Sequence, residues 1–239
     1  MNKKPDVQEI IANYFEPITT ETISSRRQLM PCSFDEMKQE LLIVYDKKVE
    51  RWLQAMDLYD KEITEHTLRV TALSLLLAQG LGFSKAELAY IQYGTLLHDI
   101  GKLGIPEKIM RKPGKLTPYE YQIVKQHPVY AHEWLLSQKD FQPAKVIPLF
   151  HHERWDGGGY PYGLKGKEIP IFARLVAVVD VWDAITSDRP YRKAMGEREA
   201  LDLIISQSGK QFDPEIVETF LSLKIYNFCP TNALFPVSI

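Results

Sequence analysis

Apolar residues recur at helical spacing along most of the chain, and capping residues, proline and glycine mark the breaks between the runs. Met37, Leu41, Val44, Val49, Trp52 and Met56 follow the capping-box pattern Ser33-Phe34-Asp35-Glu36 and predict a helix to about residue 59. Ile63, Val70, Leu73 and Leu77 form one stripe of a second helix over 62–79, which Gly80 and Gly82 end. Ser84-Lys85-Ala86-Glu87 opens a third helix that runs through the apolar stretch 91–97 to His98-Asp99. Residues 104–115, with Pro106, Pro113 and Gly114, read as loop. Thr117-Pro118-Tyr119-Glu120 then starts a helix that reaches His127-Pro128, and a short one follows through Leu136. Residues 143–153 look helical, with Pro148 kinking the helix or marking its true start. The glycine-rich stretch from Asp156 to Gly166 cannot hold a regular helix. A nearly all-apolar helix covers 170–187, interrupted by Arg174, Asp180 and Asp183. Shorter ones cover 197–207 and 213–223. No alternating β pattern or repeat is present, so the expected fold is all-α.

Bulk properties narrow the class without naming an activity. The 239 residues suit one large domain, or one domain with an extension, and 45% hydrophobic residues suffice for a core. Residues 1–31 read as an extension or linker, 32–224 as the domain and 225–239 as a tail. A net charge of -2 argues against a nucleic-acid polymer or an acidic membrane as partner. No apolar run is long enough for a membrane span. Two cysteines, Cys32 and Cys229, are too few for a disulfide framework and point to a reduced, cytoplasmic setting.

The candidate chemistry lies in the histidines. Five of the six (His66, His98, His127, His151 and His152) fall at helix ends or on a helix face beside carboxylates. Imidazole with carboxylate suits a first-row transition metal, and a helical bundle can gather such residues between facing helices. His132 reads as an ordinary helical residue. Glu62 and His66 are four apart and share a face. Asp180 is embedded among Leu175, Val176, Ala177, Val178, Val179, Val181 and Trp182, so it needs a basic partner or a metal. Asp183 is either an acceptor for a ligand imidazole or a helix-surface charge. Lys102, Arg189 and Arg192 either bind an anionic substrate, phosphate first, or balance the nearby carboxylates.

Taken together, the motifs resemble the HD-GYP family, a branch of the HD-domain metal-dependent phosphohydrolases. The resemblance covers about residues 55–223. It rests on the segment His98-Asp99-Ile100-Gly101-Lys102-Leu103-Gly104-Ile105-Pro106, on Lys112-Pro113-Gly114-Lys115-Leu116-Thr117 and on His127-Pro128. The run from His151-His152-Glu153 through Asp156-Gly157-Gly158-Gly159-Tyr160-Pro161 to Leu164, Asp180-Val181-Trp182-Asp183-Ala184 and Arg189-Pro190-Tyr191-Arg192 complete it. It implies an HD-superfamily helical bundle with a metal centre between helices. The implied ligands are His66, His98, Asp99, His127, His151, His152 and Asp180, with Asp99 bridging two metals. Glu62 stands where some members add a ligand for a third metal. Two or three divalent ions are implied, Fe or Mn first, with Zn, Ni or Mg as further candidates.

Asp99 and Lys102 are the implied catalytic residues, and Lys102, Arg189 and Arg192 the implied phosphate contacts. The implied reaction is hydrolysis of cyclic di-GMP to linear pGpG, GMP or both by a metal-bridging hydroxide, within the wall of the loop 157–163. The alternatives are a catalytically weak cyclic-dinucleotide sensor or scaffold, and a phosphohydrolase for another nucleotide. A homodimer or an upstream sensory domain or partner protein is a further expectation. Ala131 departs from the family pattern, which has glycine there, without touching an implied ligand.

Overall fold

A computed structural model of the chain describes residues 47–136, 143–188 and 192–227. The expectations for residues 1–31, for the helix start at Ser33, for Arg189 and for most of the tail lie outside these residues. Within them the fold is all-α, as the periodicity predicts, and no strand occurs among the described residues.

Helix α1 (Lys47–Tyr59) places Leu53 and Met56 in the core. The Asp60 side chain then accepts the Glu62 N–H at 3.0 Å and caps α2 (Lys61–Gly80). Buried residues lie nearly all round α2, from Ile63 to Ala78, so it runs through the interior rather than over it. It packs against α1, against α3 (Lys85–Leu96) and against α8 (Ile171–Thr186). Helix α8 is buried along the run from Ile171 to Val179, in keeping with its apolar sequence. The packing of α2 on α3 and α8 sets the frame around the candidate residues.

Local signals place most helix starts correctly. Both capping boxes form, at Ser84 with Glu87 and at Thr117 with Glu120. Three boundaries differ from expectation. Helix α3 stops at Leu96, and the chain tightens into a turn and a 3-10 segment, Ile100–Gly104, that presents His98 and Asp99. A short α4 (Glu107–Met110) occupies part of the expected loop. Helix α5 (Pro118–Val124) ends before His127, and His127-Pro128 instead opens α6 (His127–Leu136). The reason is that proline lacks an N–H and suits a helix's first turn, where that N–H has no intrahelical partner.

The same rule governs Pro148. It falls in the first turn of α7 (Val146–Phe150), preceded by a 3-10 turn at Pro143–Lys145, so two short pieces replace one kinked helix. The last helices are α9 (Glu197–Ser206) and α10 (Pro214–Ser222). Asp213 caps α10 through the Glu215 N–H and also receives the buried Arg174 guanidinium. One carboxylate thereby ties α10 to α8.

Candidate metal centre

Seven of the eight candidate ligands meet. Asp99, His127, His151 and His152 each offer one donor atom, and these atoms lie within 4.8 Å of one another. His66, His98 and Asp180 form a second group by the same measure. They arrive from the first third of α2, the turn after α3, the start of α6, the turn after α7 and the second half of α8. Asp99 faces both groups: Oδ1 is 3.4 Å from His127 Nε2, and Oδ2 is 3.4 Å from His98 Nε2. Glu62 joins neither group. It is half-buried and lines a cleft of about 880 Å³, together with Tyr59, Asp60, Lys102, Arg111 and Lys112.

Hydrogen bonding sets the orientation of the rings. His98 Nδ1 lies 2.6 Å from the Thr95 carbonyl, His127 Nδ1 2.8 Å from that of Val124, and His151 Nδ1 3.0 Å from that of Pro148. A carbonyl only accepts, so each Nδ1 carries the proton and each Nε2 keeps a lone pair aimed inward. Burial pushes His127 down to about 4 and His152 down to about 3, and it holds His151 well below its ordinary range. These imidazoles are therefore neutral donors at physiological pH. His127 Nε2 and His151 Nε2 face each other at 3.4 Å. Buried His98 Nε2 has no hydrogen-bond partner among the described residues. Lone pairs crowded this closely repel unless a cation lies among them. The neutral imidazoles of His127, His151 and His152, together with the ionised carboxylates, are donors that fit divalent transition metals.

The carboxylates are ionised despite burial. Burial alone would raise Asp99, but Lys102, with Nζ 2.6 Å from Oδ2, and the adjacent histidines hold it well below the usual range. Asp180 is lowered in the same way against burial, with His66 Nε2 3.0 Å from Oδ1. The partner that Asp180's apolar surroundings demanded is thus an imidazole. His66 has a carboxylate at each ring nitrogen, since Nδ1 is 2.7 Å from Asp183 Oδ2. Burial opposes its protonation, yet Asp180 and Asp183 raise it to about 9.

Asp183 is buried rather than a helix-surface charge, and its carboxylate faces the imidazole of His66, a candidate ligand. It also receives Arg69 through Nε at 2.7 Å and Nη2 at 2.9 Å. Arg69 escaped the sequence reading, although it lies three residues after His66 on the same helix face. His132 is buried outside both groups, as expected of an ordinary residue, and burial with nearby Lys145 pushes it down to about 4. Arg192 donates to the Ala184 carbonyl and, at 3.2 Å, to that of Ile185, so its guanidinium caps α8.

The glycine-rich loop is clamped to the segment that carries His151 and His152. Glu153, buried, accepts the N–H groups of Tyr162, Gly163 and Leu164 at 2.7–3.1 Å. The Tyr160 N–H donates to the His152 carbonyl at 3.2 Å, and its ring stacks on His152 at 4.8 Å. A Cβ on Gly159 would lie 2.4–2.6 Å from the Glu153, Arg154 and His152 backbone, so only glycine allows this approach. Glu153 was also missed, because nothing in the sequence separates it from a surface glutamate.

A helical body with two adjoining His/Asp donor groups defines a candidate metal-dependent hydrolase. Comparison with known proteins gives the family. Residues 53–216 match the HD domain. The chain is 48% identical over 168 residues to a protein of Thermotoga maritima named cyclic di-GMP phosphodiesterase, covering 69% of this chain and 45% of that one. It is 42% identical over 175 residues to the cyclic di-GMP phosphodiesterase response regulator RpfG of Xanthomonas campestris, covering 72% and 46%. In fold it is similar to Bd1817, described as an HDG"Y"P protein from Bdellovibrio bacteriovorus. That likeness has a TM-score of 0.56 and 21% identity, and it covers 91% of this chain and 77% of that one. The chain belongs to the HD-domain family, in its HD-GYP branch. It spans a little under half the length of these two curated relatives.

Proposed function

We propose that this chain is a metal-dependent phosphodiesterase that hydrolyses cyclic di-GMP to the linear dinucleotide, GMP or both. The observation that carries the reading is Asp99, ionised and buried, facing both donor groups at once. The names of the two curated relatives support the substrate. In this reading His66, His98 and Asp180 hold one metal, and His127, His151 and His152 hold another, with Asp99 shared. Bound there, the metals supply a Lewis acid for the phosphate and make water a nucleophile near neutral pH. Fe or Mn suits the mixed imidazole and carboxylate donors best.

The chain's own residues do the rest. The Thr95, Val124 and Pro148 carbonyls keep the Nδ1 protons in place, so the Nε2 lone pairs stay pointed at the centre. Lys102, on the cleft wall and paired with Asp99, offsets charge that builds on the non-bridging phosphate oxygens. Tyr160 shields one face of His152 from water. Arg189 and Arg192 are assigned to the phosphate from the motif alone, and for Arg192 this requires release of the α8 carbonyls.

Glu62 is proposed as the added ligand of a third metal, reached from its place on the cleft wall. Residues 32–224 are proposed as the catalytic unit. No helix among the described residues is long and apolar enough to cross a membrane, and a cytoplasmic setting is proposed from the substrate and the two cysteines.

Anaerobically purified protein with Mn or Fe should convert cyclic di-GMP to linear product on chromatography. Asp99→Ala should lose both metal and turnover, and full turnover by that variant refutes the site. Glu62→Ala should lower the metal count by about one per chain, and an unchanged count removes the third metal.

A further inference from the structure

Most cations around the centre are already engaged. Lys102 is held by Asp99, Arg69 by Asp183, Lys112 by Glu120, Arg111 by Glu107 and the Tyr59 carbonyl, and Arg192 by the end of α8. Lys125 differs. Its ammonium makes no ion pair or hydrogen bond among the described residues. It is bracketed by two aromatic faces, 4.9 Å from the Tyr121 ring and 4.9 Å from the Tyr160 ring. Cation–π contacts of this kind hold an ammonium in place without neutralising it. The Tyr160 ring that forms one side of the bracket also stacks on His152 at 4.8 Å, so Lys125 and a candidate ligand contact the same ring. Tyr121, 46% exposed, leaves the bracket open to solvent.

A fixed, uncompensated point charge beside a phosphodiester-cleaving centre calls for an anion. A cyclic dinucleotide carries two phosphodiesters facing each other across one ring, and only one can occupy the centre at a time. We propose that Lys125 binds the second, uncleaved phosphate of the cyclic dinucleotide and so selects a substrate with two phosphates. The inference rests on the hydrolase reading above.

The test is steady-state kinetics of the metal-loaded full chain on cyclic di-GMP and on bis(p-nitrophenyl) phosphate, which has one phosphate. One lost hydrogen bond to a charged group corresponds to about tenfold or more in affinity. Lys125→Gln should raise KM for cyclic di-GMP about tenfold with kcat within about twofold, and Lys125→Arg should recover most of the loss. KM for bis(p-nitrophenyl) phosphate should move less than about twofold, with metal content per chain the same as wild type. An unchanged KM for cyclic di-GMP in Lys125→Gln overturns the proposal. An equal loss on both substrates also overturns it, by placing Lys125 at the cleaved phosphate or at the metals. If the wild type turns over neither substrate, the hydrolase reading has failed. The equilibrium Kd for cyclic di-GMP, about tenfold weaker or unchanged in Lys125→Gln, then decides on Lys125.

Discussion

Replacing Asp183 with asparagine tests whether residues behind the proposed ligands set metal affinity. The Asp183 carboxylate accepts His66 Nδ1 at 2.7 Å and two Arg69 nitrogens at 2.7 and 2.9 Å. Burial would raise its pKa, but His66 and Arg69 hold it below the usual range, so it acts as an anion. Asparagine keeps the shape but offers one acceptor oxygen where two are used, and its amide N–H groups face either the guanidinium or the imidazole N–H. His66 then loses the partner that fixes its tautomer and makes Nε2 a stronger donor. Removing such a partner costs about 10- to 100-fold in metal affinity, or about 1.4–2.7 kcal/mol. Arg69→Ala leaves Asp183 able to accept from His66, so its effect should fall below that of Asp183→Asn. The assay is chelator competition with Mn, with metals counted per chain by mass spectrometry, alongside thermal melts of the metal-free proteins. Asp183→Asn should weaken one site while the group around His127 keeps its metal. Wild-type affinity and stoichiometry in Asp183→Asn would refute the reasoning and leave Asp183 and Arg69 as a tie between α2 and α8.

Two further outcomes follow from packing and titration. A Cβ on Gly101 would lie 1.9 Å from the His127 carbonyl oxygen and 2.8 Å from the Ala131 nitrogen, so Gly101→Ala must push α6 away. A loss of about 1–3 kcal/mol in urea unfolding is expected, with lower metal content because His127 moves with the helix. Glu120 is held down at about 2 by Lys112 and by the Thr117 N–H, below its ordinary 4.5. An acid lowered by folding stabilises above its unfolded pKa and loses that contribution as pH falls through its folded one. Glu120→Gln should therefore flatten the pH dependence of stability between about 4.5 and 2 relative to wild type, as read from denaturant midpoints at each pH.

Much of this protein follows from interactions between residues close in the chain. The capping boxes at Ser84 and Thr117 join groups three residues apart, and they form as written. The apolar run of α8 could only be an interior helix, and it made Asp180's need for a partner readable without coordinates. The candidate ligands were legible because their motifs carry the chemistry in their residue types. Tertiary structure alone decided which donors share a group, and that Asp99 faces both. His66 meets Asp183 across 117 positions, and Arg69 meets the same Asp183 across 114; no local pattern records such meetings. Glu153 looks like a surface charge in sequence, and it clamps the loop only because residues 162–164 fold onto it. Helix boundaries at His127 and Leu96 shifted for a related reason: proline and tight turns permit several local paths, and packing against the core selects one.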